Sequence, residues 1–177
     1  MLSQCFTRFF SAAGCRNFWL VVAVLMLALE GGALYFQYVK HFYPCELCIY
    51  VRVWVAALFL LSVVALWLKR WRWGRVGCAL TGLGLSVGLG IETWNLMKVE
   101  YGIGHGSACG FRANFPEWAP LDSWLPWMFE VQDMCQATPP VLWGLTMAHG
   151  LAVVSVGLIG FFFFALLGCL RSRQATM

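Results

Sequence analysis

A chain of 177 residues that is 61% hydrophobic and only 11% charged stands far from a soluble domain, which runs near roughly 45–50% apolar and about 25% charged. A soluble fold of this length could not hide that much apolar surface, because burial on folding levels off near roughly 70%. The mean hydropathy of +0.74 excludes a disordered chain too, and the net charge of +4 calls for no nucleic acid. The expected surroundings are a lipid bilayer.

Taken in chain order, four apolar stretches are long enough to cross a hydrocarbon layer, which needs about 20 helical residues: 18–39, 49–68, 76–97 and 142–167. None alternates as a strand would, so the expected fold is an all-α membrane protein. It is a four-transmembrane-helix bundle forming one integral membrane domain over residues 1–177. The first stretch is too long for a signal peptide, carries Glu30 and lacks a small-residue cleavage site. Short connections hold Pro44 and the basic run Lys69–Arg75, and a long loop covers 98–141.

Orientation follows the cations. With both termini cytoplasmic, the inner segments hold Arg8, Arg16, Lys69, Arg70, Arg72, Arg75, Arg171 and Arg173 and no acidic residue. The long loop then lies outside. Cys5, Cys15, Cys78 and Cys169 fall to the reducing side and are expected to be inert. Cys45, Cys48, Cys109 and Cys135 fall to the oxidising side, where disulfides persist.

The segment Pro44-Cys45-Glu46-Leu47-Cys48 opens the second span, with Pro44 suited to a helix start. The positive end of the helix dipole there favours thiolates on both sulfurs, as in other Cys-x-x-Cys redox sites. Arg52, four residues after Cys48, lies one turn deeper on the same face. Its permanent charge is expected beside a sulfur anion, against the plainer reading of an arginine reaching back to the headgroups. His41 and His105 keep a zinc site in view, but their spacing is irregular and the compartment oxidising. No metal is expected.

The outer pair, Cys109 and Cys135, flanks a proline- and tryptophan-rich run. Cys109 lies among Gly102, Gly104, Gly106 and Gly110, a stretch expected to be mobile and open to another protein. A disulfide that merely closes the loop is the alternative. The run Phe115–Phe129 has prolines that forbid a long helix and tryptophans at 118, 124 and 127, which mark an interfacial segment.

Gln37, Glu92, Asn95, Thr146 and His149 gather near the outer ends of their spans, where they could hydrogen-bond the oxygens of a lipid-soluble carbonyl compound beside Cys48. Helix-pairing hydrogen bonds are the alternative for each. Glu30 is expected away from this layer, packed against a neighbouring helix. Gly82, Gly84, Gly88 and Gly90 predict close helix packing, with the Gly84-x-x-x-Gly88 spacing among them.

Over essentially its whole length the chain resembles the bacterial DsbB family of quinone-dependent oxidoreductases. The resemblance rests on Ala28-Leu29-Glu30, Tyr35-Phe36-Gln37, Pro44-Cys45-Glu46-Leu47-Cys48-Ile49-Tyr50 with Arg52, and Phe115-Pro116-Glu117-Trp118 with Pro120-Leu121-Asp122. It implies a protein of the bacterial inner membrane with its active cysteines at the periplasmic face. It also implies two redox-active disulfides, Cys45–Cys48 and Cys109–Cys135. The implied partners are a DsbA-like periplasmic thiol oxidase and the membrane quinone pool, ubiquinone or menaquinone. In the implied relay the partner's thiolate attacks Cys109, freed Cys135 attacks Cys45, and Cys48 and Arg52 meet the quinone with Gln37, Glu92, Asn95 and His149 around it. Some members carry an acidic residue just before the arginine; here it is Val51, and its part is expected to pass to Glu92.

Two rival readings make different demands. A small transporter would use Glu30 as its coupling carboxylate and be indifferent to Cys109. A quinone reductase of the vitamin K epoxide reductase type would also set a Cys-x-x-Cys against a quinone. Against it, the outer pair here lies between the third and fourth spans, as in the DsbB family.

Overall fold

The computed structural model describes residues 16–68, 71–103, 110, 112–133, 140–142 and 145–171. Cys5, Cys15, Cys109 and Cys135 lie outside them, as does the side chain of Cys169. Four long helices dominate: α1 (Arg16–Tyr38), α2 (Glu46–Leu68), α3 (Arg72–Glu100) and, after two short helices and a small hairpin, α6 (Met147–Arg171). All four are long and apolar enough to cross a membrane, so the chain is a multi-pass membrane protein.

The chain order of the bundle is also its packing order. α2 lies between α1 and α3, and α3 packs along α6. At one end α1 closes on α6 through a stacked Phe18–Phe161 pair with ring centroids 4.4 Å apart, beside buried Trp19 and Phe162. Helix side chains press close on Gly82 and Gly88: a Cβ on Gly82 would strike the Phe162 ring, and one on Gly88 would meet Trp54 at 2.6 Å. Gly84 faces open space, so the Gly84-x-x-x-Gly88 spacing is not itself a packing seam. Buried hydroxyls in the bundle are satisfied within their own helix, Ser86 by Gly82 O and Thr93 by Leu89 O.

Two helix starts bear on the site. The fourth span starts at Met147, not Leu142, because Pro140–Leu142 (β1) pairs antiparallel with Leu145–Thr146 (β2). Apolar residues alone do not tell a buried helix turn from a short strand. The second helix starts at Glu46, within the Pro44–Cys48 segment expected to open it, so Cys48 lies inside its first turn.

As expected of its prolines, the run between Phe115 and Phe129 forms no long helix. It makes two four-residue helices, α4 (Leu121–Trp124) and α5 (Pro126–Phe129), separated at Leu125. Phe129 and Ala113 are buried against Ile49 in a small second core with Tyr50, Phe115 and Leu121. This core pins the loop onto the N-terminal end of α2.

Candidate functional site

Cys45 is the N-cap of α2: its carbonyl accepts the Ile49 amide at 3.0 Å, and its sulfur accepts the Cys48 amide at 3.4 Å. The sulfur thus stands where a serine or threonine oxygen caps other helices. Pro44 lies one position before the cap rather than in the first turn, and its carbonyl accepts the amides of Gln132 and Asp133. Capping geometry brings the two sulfurs to 2.9 Å, with the Cys45 thiol donating to Cys48. That hydrogen bond and burial push the Cys45 thiol up. The sequence expectation of thiolates on both sulfurs is therefore corrected for Cys45, because its proton is shared with Cys48 and little water reaches it.

One turn further in, Arg52 is only 6% exposed. Nη1 donates to Gln37 Oε1 at 2.7 Å and to Met128 O at 3.0 Å, and Nη2 donates to Ala33 O at 3.2 Å. The guanidinium is held by α1 and by the loop and does not reach back toward water. Gln37 is itself buried and donates from Nε2 to Gln132 Oε1 at 3.0 Å. It thereby ties both the arginine and the loop to α1.

A cavity of about 470 Å³ opens between α1, α2 and α6 on the side of the bundle where Cys48 lies. Its walls are mainly apolar, with Val51, Val55, Leu96 and Leu151 among them, and its polar lining comes from Cys48, Arg52, Glu30, Thr146 and His149. Size and lining match small-molecule sites, which are concave, apolar and fixed by a few polar groups. Of the residues expected around a lipid-soluble ligand, Cys48, Arg52, Thr146 and His149 line this cavity. Gln37 stands behind Arg52, and Glu92 and Asn95 do not line it, since α3 contributes Leu96. Glu30 corrects the expectation in the other direction: it lies on the cavity wall, on the α1 face that also carries Ala33 and Gln37. It is 8% exposed, and neither carboxyl oxygen has a partner among the described residues.

One polar grouping escaped the sequence reading, and of a second it named only Thr146 and His149. Glu46 Oε2 accepts the Gly110 amide at 2.6 Å, Glu46 Oε1 accepts the Tyr50 hydroxyl at 2.8 Å, and the Tyr50 oxygen accepts the Asn114 amide at 2.8 Å. This catch holds the stretch that begins next to Cys109 on the head of α2. Its one sequence signal is the four-residue spacing of Glu46 and Tyr50. The other grouping runs Tyr101, His149, Thr146, Glu100 where the C-terminal end of α3 meets the N-terminal end of α6.

A four-helix membrane bundle with a cysteine-capped helix mouth above a buried guanidinium defines an integral membrane protein with a paired-cysteine site on an apolar cavity. A family model described as disulfide bond formation protein DsbB matches residues 15–165. The chain belongs to this family, and its role is in disulfide bond formation. It is 34% identical to disulfide bond formation protein B of Shewanella denitrificans, covering 91% of this chain and 93% of that protein. It is 37% identical to disulfide bond formation protein B 2 of Pseudomonas aeruginosa (82% and 85% covered) and 33% identical to the Haemophilus influenzae protein (78% of each).

Proposed function

We propose that the chain is a protein-dithiol:quinone oxidoreductase of the bacterial inner membrane that re-oxidises a DsbA-like periplasmic thiol oxidase and passes the electron pair to membrane quinone. The observation that carries the reading is that Cys48 and Arg52 share one wall of a mainly apolar cavity. The Glu30 carboxyl on the α1 side of the same cavity, without a partner among the described residues, suits a ligand with polar oxygens on an apolar ring. When bound, a quinone accepts two electrons and two protons, which equal those a dithiol gives up.

The rest is the work of the chain's own residues. The partner's thiolate attacks Cys109 of a Cys109–Cys135 disulfide, forming a mixed disulfide and freeing Cys135. Cys135 attacks Cys45 of a Cys45–Cys48 disulfide, and Cys48 leaves as a thiolate beside Arg52. The guanidinium, fixed by Gln37 and two carbonyls, needs no reorganisation to stabilise negative charge at the cavity wall. The distribution of cations along the chain supports a periplasmic face for both cysteine pairs. DsbA is a strong oxidant near −120 mV, so its re-oxidation needs a high-potential acceptor rather than glutathione.

The test mixes the purified protein with reduced DsbA-like partner and a soluble quinone and follows absorbance as quinol forms. Quinol formation and its loss in Cys48→Ser are expected. No quinol from the unaltered protein, or equal turnover in Cys48→Ser, overturns the reading.

A further inference from the structure

Tyr101 is 57% exposed at the outer end of α3, and its hydroxyl lies 2.6 Å from His149 Nε2. The other ring nitrogen, Nδ1, lies 2.7 Å from Thr146 Oγ1, and Thr146 Oγ1 donates to Glu100 Oε2 at 3.1 Å. His149 and Thr146 both line the cavity that holds Cys48 and Arg52. A continuous hydrogen-bonded row therefore runs from an exposed tyrosine to the cavity wall.

The row accepts two arrangements of its protons. In one, Tyr101 donates to Nε2, Nδ1–H donates to Thr146, and the Thr146 hydroxyl donates to Glu100. In the other, Nε2–H donates to Tyr101, and Nδ1 accepts from the Thr146 hydroxyl and from its amide, which lies 3.4 Å away. The two differ in which imidazole nitrogen carries the proton. Passing from the first to the second, Tyr101 gives its proton to Nε2 and regains one from outer water, and Nδ1–H gives its proton to the Thr146 oxygen. The Thr146 hydroxyl gives up its own, at rest toward Glu100 and with a ligand in the cavity to the ligand's oxygen. The edge-on Tyr101 ring, 5.9 Å from the imidazole at 84°, keeps the phenol at Nε2. Thr146 and Glu100 hold the ring from the other side.

We propose that Tyr101, His149 and Thr146 form a proton relay between outer water and the cavity, with Glu100 as its anchor, that supplies protons to a bound quinone as it is reduced. The inference rests on the oxidoreductase reading above and names a step that reading leaves open. The dithiol gives up two protons at the outer face, the quinol needs two inside the cavity, and the relay connects the two places with no net proton gained or lost. Thr146 is the member that meets the ligand, and His149 and Tyr101 act through it, with Glu100 holding the hydroxyl at rest.

The test uses the full-length protein with reduced partner and a soluble quinone. His149→Ala is expected to lower kcat about a hundredfold, the low end of what a positioned proton donor contributes, and added imidazole to restore it in proportion to its concentration. Tyr101→Phe keeps the ring contact and stays clear of the cavity. It is expected to lower kcat about tenfold with an enlarged solvent deuterium isotope effect and the quinone KM unchanged. In quinone-free protein, nitrogen NMR of the His149 ring is expected to show both tautomers in exchange. Full turnover in both variants, a loss that imidazole does not repair, or one fixed tautomer overturns the relay while the oxidoreductase reading stands. Absence of quinol from the unaltered protein overturns that reading and the relay with it.

Discussion

Arg52 and Gln37, fifteen residues apart on different helices, meet at 2.7 Å with both side chains almost fully buried. A charge buried in a bundle is tolerable only when its donors are matched, and Gln37 is the one side chain among the three acceptors that the guanidinium uses. The other amide end of Gln37 reaches Gln132 in the loop. One residue thus fixes the cation and sets the loop against α1. Gln37→Leu should destabilise the protein by about 2 kcal/mol, the worth of a hydrogen bond to a charged group. Thermal unfolding in detergent checks this, with Gln37→Glu, which retains an acceptor, expected to lose less.

Much of this arrangement was legible before the fold. Four apolar runs placed the helices, and the Cys-x-x-Cys with Arg52 pointed to Cys48 and Arg52, both of which line the cavity. What could not be read was which helix faces meet. Glu30 sits deep along α1 and looked remote from the outer layer, yet the gap between α1 and α6 extends inward to it. Glu92 and Asn95 share the outer depth, but α3 turns Leu96 to the cavity instead. Depth follows from position in a span, whereas facing depends on packing partners such as Phe162 against Gly82. The start of α6 carried a usable local signal: Thr146 three residues before His149, with the Thr146 amide returned to the histidine ring, is a helix-start pattern.

The catch made by Glu46 and Tyr50 predicts a loop that can be released without disturbing the helix. Glu46→Ala removes the acceptor of the Gly110 amide and one of the two partners of the Tyr50 hydroxyl. A loss of about 2 kcal/mol corresponds to roughly thirtyfold faster amide exchange at Gly110, with a smaller rise at Asn114. Hydrogen-exchange measurements check it, and unchanged protection at Gly110 would show that the second core around Ile49 and Phe129 alone holds the loop.

Arg52→His separates the two halves of the proposed reaction. The cysteine pairs remain, and Cys45 still caps α2 through its sulfur, so disulfides should form. The permanent charge on the cavity wall is lost, and quinone-linked turnover should fall by about 10² or more, as when a fixed oxyanion donor is removed. Thiol trapping reports the disulfides, and stopped-flow absorbance reports quinol. By contrast, Cys109→Ser should abolish the mixed disulfide with the partner, and Cys5→Ser should leave partner oxidation at its normal rate.

Glu30 predicts a trade of stability against activity. A buried carboxyl whose oxygens find no partner among the described residues costs the folded state about 1–3 kcal/mol relative to a satisfied or apolar group. Natural proteins retain such groups mainly where function uses them. Glu30→Leu, which fills the same wall with an apolar side chain, should therefore raise the thermal midpoint in detergent. The same substitution removes one of the few polar groups facing the cavity, so the quinone KM should rise. Glu30→Gln keeps a hydrogen-bonding group in place and should leave the KM closer to that of the unaltered protein. A variant that is both more stable and fully active would show that the carboxyl serves no ligand in this cavity.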